Sequence, residues 1–416
     1  MKKIAIIGSG ISGLTAAYYL QKSHDVYIYE ADSRVGGHTA TKKVSSKGKD
    51  YLIDTGFIVF NDWTYPNFIK LLTEIGVKSQ PTEMGFSVFD PDENFEYAGT
   101  NLGTLFAQKR NLLSFKHWQM LGDIVRFNKE AVADLEANRL ISGETLGAYL
   151  KRKEYSETFI HRYLVPMGSA IWSATRGATL AFPLELFIKF FKNHGLLNVV
   201  DRPQWRVIKG GSQSYLEPLI KNFKEKIKLN SPVVQVIRNN MSVIVVSNGM
   251  AEHFDEIIFA CHSDQALAIL ADASENEKNI LGAIPYQKNS VVLHTDTSLL
   301  PKRRSTWSSW NYLLTSDSQS PPILTYAMNI LQGINSEEQF CVTLNARNKI
   351  DPIKILGEYE YAHPVFSQAG AQAQAIWPII NGVNRTWFCG AYWFNGFHED
   401  GVNSALRVVN ALEAKQ

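Results

Sequence analysis

Near the start of a chain of 416 residues stands Lys3-Ile4-Ala5-Ile6-Ile7-Gly8-Ser9-Gly10-Ile11-Ser12-Gly13-Leu14. Lys3 to Ile7 reads as a short strand buried on both faces, and the apolar, alanine-rich run from Leu14 to Leu20 reads as a helix. The glycines between them fall in the pattern GxGxxG. Gly8 permits the tight turn, Gly10 lets backbone approach a pyrophosphate, and Gly13 allows helix and strand to pack closely. Ser12 sits in the first helical turn, whose free N–H groups and positive end receive phosphate. A second strand, Val26 to Tyr29, ends in Glu30-Ala31, where an acidic side chain can hydrogen-bond the ribose hydroxyls of an adenosine. This order predicts a dinucleotide-binding α/β unit of the Rossmann-like kind.

NAD and FAD share these features, so the choice depends on the residues that follow. Arg34-Val35-Gly36-Gly37-His38-Thr39 offers a second glycine pair, whose N–H groups can face the same diphosphate, with Arg34 as a nearby cation. Tyr51-Leu52-Ile53-Asp54-Thr55-Gly56-Phe57 is a strand broken by a glycine, where a flat ring could lie against the backbone around Thr55, Gly56 and Phe57.

On these motifs the sequence resembles the glutathione-reductase-like flavoprotein superfamily, in the branch of flavin monoamine oxidases, protoporphyrinogen oxidases and carotenoid desaturases. The resemblance implies FAD, bound extended across the stretches GSGISGL, Glu30 and GGHTAT. His38 departs from the arginine that amine oxidases usually carry after the glycine pair. The resemblance also implies a closing element at the C-terminus: a strand at Arg385 to Cys389, Gly390, and a helix starting near Gly401 and running over Asn403 to Leu412. The N-terminal end of that helix, with Asp400, Gly401 and Val402, would meet the flavin pyrimidine edge, where negative charge builds on reduction. Val233 and Val234 are expected against the adenine.

The implied FAD domain is discontinuous, built from 1–80, 205–285 and 380–416. Two inserts remain for substrate: 85–204, mostly helical by pattern, and 286–379, whose runs at Ser290–His294, Ser308–Leu314, Ile323–Ile330 and Phe340–Leu344 suggest a mixed sheet. The fold class expected is therefore a glutathione-reductase-type FAD domain with an inserted mixed-sheet and helical substrate domain. A second GxGxxG is missing, which favours an oxidase or desaturase passing electrons to oxygen, quinone or another acceptor over a reductase fed by NAD(P)H.

Composition sets outer limits. Forty-two Lys and Arg stand against 40 Asp and Glu, so no broad positive field points to nucleic acid. Cys261, Cys341 and Cys389 are widely spaced in apolar runs, which argues for buried free thiols in a reducing compartment and against a disulfide framework or a CxxC metal site. With no signal peptide or membrane span legible, a cytoplasmic protein is expected, with peripheral contact at the inner membrane face as an option. For that contact the stretch 109–126 stands out: Leu112, Phe115, Trp118, Leu121 and Val125 recur at helical spacing among Lys109, Arg110, Lys116 and Arg126. The same stretch also reads as an ordinary helix packed on the domain with its cations in solvent.

Flavin carries the redox chemistry, so few side chains are obligatory. Amine oxidases usually place a Lys on a substrate-domain strand near flavin N5. In Lys288-Asn289-Ser290-Val291-Val292-Leu293-His294 the best-matched position is Leu293, and the adjacent His294 becomes the candidate proton acceptor. Tyr392 and Trp393, directly after Gly390, are candidates to line the flavin pocket. Aromatic settings also surround Asn193-His194-Gly195 and Tyr361-Ala362-His363-Pro364. His398-Glu399-Asp400 has the composition of a metal cluster, yet adjacent residues in one turn do not converge on an ion, and no metal is expected. Stretches such as IDTGFIVFN, WRVIKGGSQSY, SSWNYLL, LHTDTSLLP and CGAYWFNGFHEDG resemble a bacterial branch of predicted FAD/NAD-binding proteins. The family context that this resemblance implies includes desaturases of furan fatty acid formation. The substrate implied is an apolar molecule or lipid acyl chain, with a small amine as the alternative and a non-catalytic FAD-binding partner of a lipid-modifying complex as the second alternative.

Overall fold

The computed structural model describes residues 1–198, 200–317 and 320–414. Five parallel strands form one sheet in the order Ile227–Lys228, Asp25–Tyr29, Lys3–Ile7, Glu256–Phe259 and Thr386–Phe388. Its strands come from distant parts of the sequence, and the three central ones are apolar after their first residue, as burial on both faces requires. The helix Ile11–Leu20 crosses the final helix His398–Glu413 closely. A Cβ on Gly401 would come within 2.7 Å of Ile11 Cγ2, and one on Gly13 within 2.0 Å of the Gly8 carbonyl oxygen. Both glycines are therefore needed for packing. An antiparallel meander, Val233–Arg238, Val243–Ser247 and Met250–Phe254, is inserted in the chain between Ile227–Lys228 and Glu256–Phe259 and sets Phe254 against Tyr27 and Tyr29 of the sheet.

A seven-stranded sheet forms the other half, in the order Ile355–Pro364, Tyr286–His294, Cys341–Leu344, Ile323–Ala327, Trp310–Leu313, Phe86–Asp90 and Phe95–Ala98. All its pairings are antiparallel except Trp310–Leu313 with Phe86–Asp90, so the sheet is mixed. The stretch 85–204 is thus not helical from its start. It opens with a hairpin, Phe86–Asp90 and Phe95–Ala98, turning at Asn94 with φ 48°, because without it the strand Trp310–Leu313 would end the sheet with one side unpaired. Helices follow, chiefly Phe115–Glu136, Val165–Trp172 and Leu184–Asn193, and they enclose an aromatic core with Phe127, Tyr149, Phe159, Trp172 and Phe187.

One row across the second sheet is polar and buried: His294, Thr343, Thr325, Asn311 and Ser87. It is joined by hydrogen bonds between His294 Nε2 and Thr343 Oγ1 (2.7 Å), Thr325 and Thr343 hydroxyls (2.8 Å), and from Ser87 Oγ to Asn311 Oδ1 (2.8 Å). The three cysteines carry free thiols, two of them buried. Among the described residues no helix is long and apolar enough to cross a membrane.

Candidate functional site

The carboxyl ends of the parallel strands open into a cavity of ≈ 650 Å³ lined by Ile7, Glu30, Ala260, Gly390 and the glycine loop. Ligands of open parallel sheets bind at this place, because the loops there diverge and helix N-termini face inward. The loop is held from both sides. Gly8 (φ 102°) donates its N–H to Tyr29 O at 2.8 Å, and Glu30 accepts from Ser9 N and Asp32 N, each at 2.9 Å. Arg34 wraps the second glycine pair, donating to the Thr39 and Gly37 carbonyls at 2.9 and 2.7 Å. That ties its guanidinium to the turn over Gly36 and Gly37, at φ 113° and 56°.

The residues present fit a dinucleotide. A Cβ on Gly10 would meet nothing within 4 Å, so open space lies in front of its backbone, and the first N–H groups of the helix Ile11–Leu20 have no intrahelical partner. The buried Tyr392 hydroxyl on the same wall has no protein partner.

Of the sequence-predicted cofactor residues, Gly8, Gly10, Ser12, Glu30, Ala31, Arg34, Gly36, Gly37, His38 and Gly390 line this cavity, as does Tyr392. Gly13 stands behind it as the close-packing residue. Val234 points away, 61% exposed, and Val233 takes the wall, because the strand Val233–Arg238 alternates its side chains. Trp393 is buried beside Tyr392 at a ring distance of 5.0 Å and does not reach the wall.

A second cavity of ≈ 200 Å³ adjoins the first, between the seven-stranded sheet and the helical layer. Thr55, Gly56 and Phe57 line it, and Gly56 is required there because a Cβ would come within 2.0 Å of the His38 carbonyl. Ser173, left-handed at φ 52°, ends the helix Val165–Trp172 and brings Trp172 to the wall. Eight aromatic residues line the cavity, and none of its lining residues is Asp, Glu, Lys or Arg. The ring N–H groups of Trp172 and Trp310 on this wall meet no acceptor in the protein.

His38, Tyr361, His363, Pro364, Gly396, Phe397 and His398 border both cavities and mark their junction. The His38 ring lies 5.3 Å from Tyr361 and 5.5 Å from His363. His398 stacks on Phe57 at 3.5 Å, and its Nε2 meets Thr39 Oγ1 and the Tyr215 hydroxyl at 3.1 and 3.0 Å. Thr39 therefore orients His398 from behind instead of touching the cavity. Burial lowers the pKa of His398 to about 3 and of His363 to about 4. Burial, followed by repulsion from His363, His262 and His398, holds His38 well below the ordinary histidine value. All three are neutral near pH 7.

The tautomer of His363 follows from its neighbours. Asn345 Nδ2 donates to Asn289 Oδ1 at 3.0 Å, and Asn289 Nδ2 donates to Gln287 O at 3.2 Å. The amide thus oriented places its N–H 3.2 Å from His363 Nδ1, so neutral His363 accepts there and carries its proton on Nε2.

The final helix begins at His398, before the Gly401 expected from the sequence, and its first four residues have four different partners. His398 lines the junction. Glu399 caps the helix Pro66–Glu74 by accepting from Asn67 N (3.0 Å) and Phe68 N (2.8 Å). Asp400 accepts from Phe397 N at 2.9 Å, and burial raises its pKa to about 7. Gly401 admits the first helix, and Val402 is core. Asp400, Gly401 and Val402 therefore lie behind the wall formed by Gly396, Phe397 and His398.

His294 is not at the site. On its strand Val291 lines the second cavity, and odd and even positions face opposite ways, so His294 joins the polar row on the far face. It accepts from Asp296 N at 3.1 Å, and burial lowers its pKa to about 4. Leu293 is buried in the core beside Val291, and it is Val291 that reaches the cavity. The junction histidines stood in quoted motifs, at VGGHT, YAHP and GFHEDG, but only the fold brings those three segments together.

The family model "Flavin containing amine oxidoreductase" matches residues 11–332. Among curated relatives, "Probable flavin-containing monoamine oxidase A" of Dictyostelium discoideum is 28% identical over 279 residues, covering 62% of this chain and 56% of that protein. The chain thus matches little more than half of that relative's length. Among solved structures, putrescine oxidase bound to putrescine aligns with a TM-score of 0.70 at 15% identity, covering 99% of both chains. A CLA-producing fatty acid isomerase from P. acnes aligns at 0.71 and 14% identity, covering 99% of this chain and 98% of that one. At these identities the structural likeness establishes the fold alone.

Proposed function

Because the chain belongs to the flavin-containing amine oxidoreductase family and is an FAD-dependent oxidoreductase, we propose that it oxidises an apolar molecule, a lipid acyl chain, at the junction of its two cavities. The observation that carries this reading is the wall of the smaller cavity, with eight aromatic residues and no Asp, Glu, Lys or Arg. A charged amine or an amino acid would be desolvated there without a counter-charge, at a cost of several kcal/mol, whereas an acyl chain gains about 25 cal/mol per Å² buried. The unpartnered N–H groups of Trp172 and Trp310 offer donors for an uncharged carbonyl oxygen at the head of such a chain.

Bound FAD would supply a two-electron acceptor for hydride leaving one carbon, the proton lost from the neighbouring carbon passing to water at the mouth of the larger cavity. The chain's own residues do the rest. The glycine loop and Glu30 hold the nucleotide end, and Arg34 stiffens the second glycine pair. Phe57, Trp172, Trp310 and Tyr326 exclude water from the reacting carbon. His363, its Nδ1 engaged by Asn289, holds a proton on Nε2 at the junction. Oxygen, a quinone or another acceptor outside the chain then takes the electrons.

An amine oxidase is the second reading. It is favoured by the same aromatic wall, which can enclose an amine in its neutral form. Lipid profiles of a deletion strain and its parent, together with anaerobic mixing of purified holoprotein with a panel of amines, decide between the two. An acyl species that accumulates on deletion is the expected result. Rapid flavin bleaching by an amine, with unchanged lipids, would establish the second reading instead.

A further inference from the structure

The helix Phe115–Glu136 has two apolar faces. His117, Met120, Phe127 and Ala131 are buried against the domain, whereas Phe115, Trp118 and Val125 face solvent. The preceding turn adds to this outer face. Leu113 is 93% exposed, Phe115 79% and Leu102 75%, with Leu112 and Trp118 about half exposed. A run of large exposed side chains in one short stretch is unusual for a protein surface with no partner.

The surface is held in shape. Ser114 caps the helix, accepting from His117 N at 3.3 Å. Trp118 Nε1 donates to Leu112 O at 2.9 Å, and its ring lies 5.1 Å from Phe106. Arg110 donates to the carbonyls of Glu93 and Asn94. Along the chain Lys109, Arg110 and Lys116 occur between Glu96 and Asp123 with no acidic residue among them, while the turn to which Arg110 bonds carries the exposed Asp92 and Glu93 at one margin of the surface.

We propose that residues 102–118 are a docking surface for an anionic lipid bilayer. Leu113 and Phe115 enter the acyl region, Trp118 sits at headgroup level with its amphipathic ring, and the three cations meet lipid phosphates. Charge complementarity selects this occupant over a second copy of the chain. A two-fold interface pairs a patch with itself and would set these cations against their own images. The surface stands independently of the substrate reading, so the two can fail separately.

The test floats full-length holoprotein with phosphatidylcholine vesicles, with and without phosphatidylglycerol. Binding is expected to the anionic vesicles alone and to weaken as salt is raised. The double substitution Leu113→Ser, Phe115→Ser should lower the bound fraction at least about tenfold, and Lys109→Glu with Lys116→Glu should do the same. Flavin content and thermal midpoint should stay at wild-type values, since these side chains project into solvent. Absence of flotation, or equal flotation of wild type and both variants, overturns the proposal. So does a dimer seen by sedimentation that the same substitutions dissolve, which would assign the face to a second copy.

Discussion

The two adjoining cavities recognise their contents by opposite means. The larger is built at the ends of parallel strands from backbone: Gly8, Gly10, Gly36 and Gly37 bring main chain to its surface, and side chains such as Glu30 and Arg34 bind that main chain in turn. The smaller is built from large rings on segments far apart in sequence, Phe57, Trp172, Trp310, Tyr326 and Phe397. A backbone site depends on the space in front of it, so one added methyl group can close it. A wall of side chains is redundant, so one deletion should produce a graded loss.

The largest effect expected follows from Gly10→Val. A Cβ there meets no protein atom within 4 Å, so the variant should fold, while its side chain occupies the space proposed for the diphosphate. Purified protein should show a normal thermal transition and no bound flavin after desalting. Gly13→Ala is the counter-example, because its Cβ would lie 2.0 Å from the Gly8 carbonyl, and it should damage folding itself. If Gly10→Val retained flavin, the backbone account of the larger cavity would be wrong.

Glu30→Ala comes next. It removes the carboxylate that accepts from Ser9 N and Asp32 N and that is proposed to bind the ribose, for a loss of about 1.5–3 kcal/mol. Flavin titration of apoprotein should register an affinity roughly ten- to hundredfold weaker.

This first cavity was the legible one. Gly8, Gly10 and Glu30 lie within one short βαβ unit, and the glycine spacing itself encodes the turn. Val234 illustrates the limit of such reading: the strand was expected, but which of two adjacent valines faces inward depends on register, and a one-residue slip reverses every side chain. The same alternation misplaced His294, whose strand puts Val291 on the cavity. The junction was legible only as fragments. His38, His363 and His398 come from three segments more than 30 residues apart, each beside a recognisable glycine or aromatic motif, and no local pattern reports their convergence. The helix starting at His398 could have been anticipated, since Glu399 and Asp400 are the acids a first helical turn favours.

The second cavity should respond more gently. His363→Leu removes the Nε2–H proposed at the junction and leaves Asn289 Nδ2 with the Gln287 carbonyl alone. Flavin should remain bound while the anaerobic reduction rate falls about three- to tenfold, the worth of one neutral hydrogen bond.

Acid should then erode what both cavities share. His38, His194, His294, His363 and His398 all have pKa values lowered by burial, so the unfolded chain binds protons below about pH 6.5 that the folded chain does not. Their contribution is complete above that pH and is lost as pH falls toward 4. Asp54 and Asp400, raised by burial to about 6 and about 7, and Glu399, also raised, oppose this by taking up protons in the folded state. With His117, His161 and His262 also lowered, eight histidines, joined by lowered carboxyls such as Asp296 and Glu277, stand against three raised carboxyls and leave a net loss, so thermal midpoints should fall from about pH 6.5 to about 4.5. His398→Gln should flatten that slope by up to about 1.4 kcal/mol per pH unit.

The smallest effect on turnover belongs to His294→Ala. Its ring is bonded to Thr343 Oγ1 and Asp296 N inside the polar row of the seven-stranded sheet, on the face turned away from the cavities. Removing it leaves a buried hydroxyl short of a partner and a hole in the row, which should lower stability by about 1–3 kcal/mol. Flavin content and reduction rate at a temperature well below the transition should match wild type. Slowed reduction in folded, flavin-loaded His294→Ala would bring that residue back to the chemistry. It would also mean that the far face of the sheet communicates with the aromatic wall through Val291 and Val292, the adjacent strand residues that face opposite ways.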